Sequence, residues 1–193
     1  MTDQRTSGSA VVIGASVGAI EALSVILPAL PENYPLPVIV VVHVAPDSRS
    51  LLADLFDSRC PMVVKEAEDK EPLQGGTVYF APAGYHLLVE PDLTLSLSSD
   101  EPVLFSRPSI DVLFESAADA YGDTLTAVVL TGANSDGAKG LHAVCQAGGT
   151  ALVQHPDTAV GSAMPQAALA ACPLALSLSL EEIATTLIRQ TQP

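Results

Sequence analysis

The chain has 193 residues and a formal net charge of −14, and 48% of its residues are hydrophobic although only 4% are aromatic. This length supports one core, so we predict a flexible polar lead over residues 1–9 and a single domain over 10–193. The eight Lys and Arg residues are too few and too scattered for a nucleic-acid or anionic-membrane surface. Since no apolar run approaches the roughly 20 residues that span a bilayer, we expect a cytoplasmic protein.

The first predicted element is an apolar strand over residues 10–14 that leads to Ser16 between two glycines. The segment Gly14-Ala15-Ser16-Val17-Gly18 matches a Gly-x-Ser-x-Gly turn, in which the glycines allow the backbone to lift a serine hydroxyl clear of the sheet. Ser16 is therefore a candidate nucleophile. The same pattern also fits a phosphate-binding turn, or close packing of the helix predicted over 19–30.

The next elements repeat this alternation of strand and helix. Residues 37–43 are nearly all β-branched, which is typical of a central parallel strand buried on both faces, and the strand ends at His43. A helix over 48–57 and a short strand over 62–65 follow.

Three short segments then alternate between apolar and polar residues and are separated by Pro-Ala-Gly and Pro-Asp turns. They cover residues 77–80, 86–90 and 93–97. We predict that they form an antiparallel hairpin region at one edge of the sheet.

The rest of the chain returns to helices and strands in alternation. A helix opens at 107–111 and runs to about residue 121, and a buried strand over 126–130 leads to a helix that starts near Asp136. A strand and two helices complete the chain, over 150–154, 165–171 and 180–190. The prediction is a doubly wound α/β fold, a three-layer α/β/α sandwich with a mostly parallel sheet.

Three reactive side chains follow the carboxyl ends of predicted parallel strands: Ser16, His43 and Asp136. Such ends meet at one rim of the sheet, where ligands bind. A serine hydroxyl attacks efficiently when an imidazole takes its proton, and the imidazole needs a carboxylate to fix its tautomer. The three residues predict a Ser-His-Asp site, although singly His43 also fits a packed histidine and Asp136 a helix cap.

The cysteines and histidines do not indicate a metal or a cofactor, and we expect neither. The three cysteines lack the paired spacing of a zinc site or a disulfide framework, so we expect Cys60, Cys145 and Cys172 to be reduced. The four histidines lack the short spacings typical of metal ligands.

Several separated segments carry a family resemblance: VIGAS at 12–16, HVAP at 43–46, GTVYFAPAGYHL at 76–87, RPSIDVLF at 107–114, LTG at 130–132, DGAKGL at 136–141 and AMP at 163–165. In this order they resemble the chemotaxis protein-glutamate methylesterases, the CheB family, over residues 11 to about 188. The resemblance implies a Ser-His-Asp hydrolase that removes methyl esters from glutamates on cytoplasmic chemoreceptor helices and also deamidates glutamines.

The resemblance also implies the role of each site residue: Ser16 as nucleophile, His43 as general base and Asp136 as the acid that orients it. For the oxyanion we expect the backbone amides of Val17 and Ala133. Three cations lie in segments expected near the site, Arg49, Arg107 and Lys139. They are either guides for an acidic receptor helix or ordinary solvated side chains.

Two segments depart from the family pattern. Val17-Gly18-Ala19 replaces the usual Thr-Gly-Gly, and Ala133-Asn134 replaces Met-Gly. These departures leave open a catalytically impaired, receptor-binding adaptor. A nucleotide-binding domain is a further alternative, but the chain lacks a full Gly-x-Gly-x-x-Gly pattern. Because the family's N-terminal receiver domain has no counterpart here, we expect either a piece of a longer protein or a stand-alone relative that is regulated by a separate domain or protein.

Overall fold

The computed structural model describes residues 8–43 and 51–192, and these residues form nine strands and six α-helices. The strands are β1 (Ala10–Ala15), β2 (Val38–Val42), β3 (Val63–Glu66), β4 (Thr77–Phe80), β5 (His86–Val89), β6 (Leu95–Ser98), β7 (Leu125–Val129), β8 (Thr150–Gln154) and β9 (Leu176–Leu178). The helices are α1 (Ala19–Ile26), α2 (Leu52–Asp57), α3 (Ile110–Tyr121), α4 (Ala138–Gln146), α5 (Ala163–Ala171) and α6 (Leu180–Arg189).

Seven strands form one parallel sheet in the order β3-β4-β2-β1-β7-β8-β9. All residues of β1 are buried, and this strand lies between β2 and β7. The chain builds the sheet outward from β1 in one direction through β2 and in the other through β7, so the strand order reverses beside β1. The carboxyl end of β1 is therefore where a ligand site is expected in a doubly wound sheet.

Helices cover both faces of this sheet. Successive residues of β1 point to opposite faces, so that Val12 packs in a cluster with α3, α4 and α5, whereas Ile13 packs in a cluster with α1, α2 and α6. Strands buried on both faces explain the continuous apolar runs in the sequence. The predicted three-layer α/β fold is confirmed.

The hairpin region differs in one detail from the prediction. β5 and β6 pair in antiparallel fashion, but as a separate two-stranded sheet beside α3, where the amide of Val89 donates to Ser116 Oγ at 3.1 Å. The prediction that residues 77–80 belong to the hairpin was wrong, because β4 pairs in parallel with β2 and β3. All four residues of β4 are buried, which a strand inside a covered sheet allows and an exposed hairpin does not.

Other boundaries differ by a few residues. The helix predicted over 19–30 ends at Ile26 and continues as a 3₁₀ turn over Leu27–Ala29, since Pro28 lacks the amide that an α-helix requires. Of the helix predicted over 48–57, residues 48–50 lie outside the described residues and α2 covers Leu52–Asp57. Strand β9 has only three residues and was not predicted. None of the helices in the described part of the chain has the length and apolar character needed to cross a membrane.

Candidate active site

The register of the central strands places Ser16 between two other loop residues at the carboxyl edge of the sheet. Ala15 at the end of β1 pairs with Val42, so Ser16 lies beside His43, whose amide donates to the Ala15 carbonyl at 3.2 Å. On the other side, the Ser16 amide donates to the carbonyl of Thr131, which follows β7, at 2.9 Å. Since neighbouring strands are about 4.8 Å apart, the serine and the histidine are adjacent residues of one rim.

A hydrogen bond joins His43 to Asp136. The distance from His43 Nε2 to Asp136 Oδ2 is 2.7 Å, and the carboxylate side chain is fully buried whereas the ring is 12% exposed. With Nε2–H donating to the carboxylate, the neutral ring has its lone pair at Nδ1. Among the described residues, neither Nδ1 nor the Ser16 hydroxyl makes a hydrogen bond. The expected hydrogen bond between His43 and Ser16 is therefore not formed here, and such bonds are often long in free enzymes.

Asp136 is held by the start of α3 as well as by His43. Oδ1 accepts from Ser109 Oγ at 2.9 Å and from the amide of Asp111 at 3.0 Å, and Oδ2 accepts from the amide of Ile110 at 2.7 Å. Burial by itself raises the pKa of Asp136, but the hydrogen bonds from His43 and from the two amides outweigh burial and lower this pKa below its usual value. The group is therefore a carboxylate at neutral pH.

Ser109 and His86 complete this arrangement, and neither was predicted as a site residue. The amide of Ser109 donates to His86 Nδ1 at 3.1 Å, and His86 Nε2 donates to the carbonyl of Glu101 at 3.0 Å. Ser109 is the N-cap residue of α3, a position at which a serine oxygen usually accepts from an amide in the first turn of its helix. Here the hydroxyl makes no such cap hydrogen bond and donates to Asp136 instead. Apart from the family-matching segment at 107–114, a serine before a helix was the only local signal for this residue.

A second buried carboxylate, Asp111, fixes the loop that carries Asp136. Its Oδ1 accepts from the amides of Gly137 at 2.9 Å and Gly140 at 2.7 Å. Gly137 has φ +96°, a conformation that favours glycine. Burial, with a contribution from the nearby charge of Asp136, raises the pKa of Asp111 to about 6 although the two amides oppose this shift.

The two backbone amides predicted as oxyanion donors differ from that of Ser16 in their hydrogen bonds. The Ser16 amide is bound to Thr131 and the Ser16 carbonyl accepts from the amide of Ala19 at 2.9 Å, whereas the amides of Val17 and Ala133 have no hydrogen-bond partner within residues 8–43 and 51–192. An oxyanion hole requires amides near the serine that are not bound to a protein acceptor, and within the described residues these two amides meet that requirement.

Two of the three predicted cations have local partners. The guanidinium of Arg107 donates to the carbonyls of Ser99 and Asp100, both at 2.9 Å. The ammonium of Lys139, which is exposed, lies 2.9 Å from the carboxylate of Glu115. Arg49 lies outside the described residues.

The expectation of three reduced cysteines was wrong. Cys145 at the end of α4 and Cys172 just after α5 form a disulfide, with 6.5 Å between their Cα atoms. The two helices pack side by side, so residues 27 positions apart meet although their spacing matches no disulfide pattern. Cys60 is a free thiol, and burial, aided by the charge of Asp57, raises its pKa to about 11. The described residues contain no cluster of three or more side chains suited to hold a metal ion.

Comparison with known proteins decides the family. The sequence model of the CheB methylesterase family matches residues 11–187. This chain belongs to the CheB methylesterase family. The resemblance noted in the sequence is thereby confirmed.

Individual CheB relatives match along nearly the whole chain. A protein of Leptospira interrogans is 48% identical over 183 residues, which cover 95% of each sequence, and provisionally carries the name protein-glutamate methylesterase/protein-glutamine glutaminase. An Archaeoglobus fulgidus protein of that name is 36% identical over 96% of this chain and 54% of its own length. The crystal structure of the Thermotoga maritima CheB methylesterase catalytic domain superposes with a TM-score of 0.91 at 35% identity, covering 96% of this chain and 100% of that one. These names describe carboxylic ester hydrolases.

Proposed function

We propose that this chain is a protein-glutamate methylesterase, with Ser16 as nucleophile, His43 as general base and Asp136 as the orienting acid. Its substrates are methylated glutamates on the cytoplasmic helices of chemoreceptors. The observation that carries the proposal is the 2.7 Å hydrogen bond from His43 to the buried carboxylate of Asp136. His43 follows the end of β2 and lies beside Ser16. The family and the names of its relatives support the substrate class.

The proposed reaction has two acyl-transfer steps. Ser16 Oγ attacks the ester carbonyl while His43 Nδ1 takes its proton, and the tetrahedral intermediate then breaks the bond to the methoxy oxygen, which leaves as methanol with the proton from the imidazolium. Water attacks the resulting glutamyl-serine ester with His43 again as base, and the free glutamate leaves as Ser16 regains a proton. The use of Nδ1 as the base follows from the bond between Nε2 and Asp136.

The proposed oxyanion donors are the amides of Val17 and Ala133. A donor of this kind is worth roughly 3 kcal/mol of transition-state stabilisation. The departures from the family pattern at these two positions change side chains, while the donors belong to the backbone. An active enzyme is therefore favoured over a binding adaptor.

The same site suits deamidation of glutamine. An amide carbonyl and an ester carbonyl form the same acyl-serine intermediate, and ammonia replaces methanol as the leaving group. The relatives' double name, which includes protein-glutamine glutaminase, supports this second activity.

The test is methanol release from methylated cytoplasmic fragments of a chemoreceptor. Ser16→Ala should abolish release without unfolding the protein, whereas Ser58→Ala, at an exposed serine outside the site, should retain wild-type turnover. Turnover by Ser16→Ala would exclude this residue as the nucleophile. Binding of the fragment by the wild type without any methanol release would establish the adaptor alternative instead.

A further inference from the structure

Thr131 makes hydrogen bonds with both its backbone and its side chain beside the serine turn. It is 1% exposed, and its carbonyl accepts from the Ser16 amide at 2.9 Å. Its hydroxyl donates to the carbonyl of Val17 at 2.7 Å and accepts from the amide of Gly161 at 2.8 Å. Its amide donates to the side-chain oxygen of Gln154 at 3.0 Å.

These bonds orient the serine turn. The carbonyl and the amide of one peptide unit point in opposite directions. The Ser16 carbonyl accepts from the Ala19 amide, so the Val17 amide, which belongs to the same peptide unit, points away from the turn. The next peptide unit begins with the Val17 carbonyl, and the Thr131 hydroxyl holds this carbonyl by a hydrogen bond. Gly18 has φ +83°, and a Cβ there would lie 3.1 Å from the Thr131 methyl group and 2.7 Å from Val160 Cβ, so the turn has no room to shift toward them.

The same hydroxyl also fixes the loop that carries the other proposed donor. Gly161, whose amide binds the Thr131 hydroxyl, accepts from the amide of Gly132 at 2.8 Å, and the Gly132 carbonyl accepts from the amide of Met164 at 3.0 Å. A Cβ at residue 161 would lie 2.7 Å from the carbonyl carbon of Gly132, so the two backbones are in direct contact. Ala133 is the next residue after this clamped peptide.

Gln154 holds Thr131 in place. This side chain is 2% exposed, and while its oxygen binds the Thr131 amide, its nitrogen donates to the carbonyl of Thr158 at 3.2 Å. The backbone of Thr131 is therefore fixed, and its buried hydroxyl both donates and accepts a hydrogen bond. Such a hydroxyl links the two segments it joins rigidly.

We infer that Thr131 is a positioning residue whose hydroxyl aligns the amides of Val17 and Ala133 as one oxyanion hole. This inference rests on the proposed function, because it assigns Thr131 a task in the ester hydrolysis proposed for Ser16. Thr131 itself touches no reacting atom. Its contribution is to the transition state rather than to substrate binding, since the oxyanion forms only after the serine attacks.

The test compares two variants that lose the hydroxyl, Thr131→Val and Thr131→Ala, with Thr131→Ser, which keeps it. We expect kcat for the methylated receptor fragment to fall about 10-fold to 100-fold in the first two with KM within about twofold, because small misplacements of catalytic groups have effects of this size. Thr131→Ser should recover most of this loss. In Thr131→Val a methyl group replaces a hydroxyl that lies only 2.7 Å from the Val17 carbonyl oxygen, a contact too short for a methyl group. Thr131→Ala has no atom there, so it tests the loss of the hydroxyl even if Thr131→Val does not fold.

Thr126→Val is the matched control. Thr126 is a buried threonine on β7 whose hydroxyl donates to Gln190 at 3.0 Å, at the end of the strand away from the site. It should lose stability as Thr131→Val does and keep wild-type kcat.

A sulfur-substituted substrate separates alignment of the oxyanion hole from general damage. Sulfur is a weaker hydrogen-bond acceptor than oxygen, so the wild type should hydrolyse the O-methyl thionoester of a receptor peptide much more slowly than the ester. In Thr131→Val or Thr131→Ala this preference, measured as the ratio of kcat for the ester to kcat for the thionoester, should shrink at least about 5-fold. Wild-type kcat and an unchanged preference in both loss variants would overturn the role of Thr131. A wild type that releases no methanol would instead overturn the proposed function.

Discussion

His43 and Asp136 are 93 positions apart in the chain and are joined by a 2.7 Å hydrogen bond at the rim of the sheet. The acid accepts three more hydrogen bonds from the first residues of α3, so its charge and its orientation are fixed by a helix that carries no member of the proposed triad. The start of a helix favours a negative charge, because its first amides have no partner within the helix. The proposed triad therefore depends on α3 as much as on β1, β2 and β7.

Replacing Asp136 by Asn should lower kcat about 10³-fold to 10⁴-fold, because the amide has no charge to stabilise the imidazolium of His43, and its NH₂ group, when turned toward Nε2, selects the tautomer with the proton on Nδ1. Each carboxylate oxygen accepts a hydrogen bond from one backbone amide, so the NH₂ group of Asn faces a backbone donor whichever way it points. Stability should fall by about 1–3 kcal/mol for the same reason. Methanol release and urea unfolding measure the two effects, with Asp119→Asn on the exposed side of α3 as control. Wild-type kcat in Asp136→Asn would exclude it as the orienting acid.

Replacing Ser109 by Ala should reduce kcat about 5-fold to 10-fold, because the carboxylate of Asp136 would lose one of the donors that fix its orientation toward His43. Methanol release from the receptor fragment at saturating substrate tests this.

Ser116→Ala is the control for this experiment. Ser116 lies on the same helix and its hydroxyl binds only backbone groups, including the amide of Val89 at 3.1 Å. This variant should be less stable than the wild type but have the wild-type kcat. Wild-type kcat in Ser109→Ala would show that its hydroxyl does not orient the acid.

Replacing Asp111 by Asn should change the pH dependence of stability. Because the pKa of Asp111 is about 6 in the folded protein and near 3.8 in the unfolded chain, the folded state binds this proton more tightly. The stabilisation is fully present below about pH 4 and is lost as the pH rises through 6. The free energy of unfolding of the wild type should therefore fall relative to Asp111→Asn, by about 2 kcal/mol between pH 4 and 7.

The Asn side chain keeps an oxygen that can accept from the amides of Gly137 and Gly140, which makes it a fair neutral replacement. Urea unfolding at four or five pH values gives the comparison. Parallel curves for the two proteins would show that the Asp111 proton is not linked to folding.

Arg107 should contribute more to substrate docking than Lys139. The guanidinium of Arg107 binds carbonyl oxygens and forms no ion pair with any residue that the structure describes, whereas Lys139 is paired with Glu115. Arg107→Gln should lower kcat/KM about 3-fold at low salt, with less effect at high salt, and Lys139→Gln should have a smaller effect. Lys70→Gln, at an exposed lysine on another segment, is the control. Equal losses in all three variants, or a loss that salt does not change, would contradict the docking role.

The sequence predicted the parts of the site that depend on local pattern. Ser16, His43 and Asp136 follow buried strands, and in a parallel sheet the ends of such strands must share a rim, so the strand pattern alone places these residues near one another. The sheet order and the independence of β4 from the hairpin depend on long-range pairing, which a four-residue apolar segment does not encode.

The supporting contacts were not predictable in this way. A serine at a helix start normally indicates a local cap, yet Ser109 binds a carboxylate 27 positions away. Thr131 was part of a matching segment, but the task proposed for its hydroxyl depends on the path of Gly161, which no local periodicity specifies. Such contacts arise from tertiary packing, which overrides local preference.

The disulfide between Cys145 and Cys172 leaves Cys60 as the only free thiol of the three cysteines in the sequence. Protein prepared without reductant and then denatured should react with one equivalent of a thiol reagent, and with three after reduction. In the native protein Cys60 should react slowly at pH 8, because its pKa of about 11 leaves little thiolate. Reduction should lower the free energy of unfolding by about 3 kcal/mol, as expected for a closed loop of this size. A Cys145→Ser/Cys172→Ser variant should be insensitive to reductant, and three reactive thiols in denatured, unreduced wild type would contradict the cross-link.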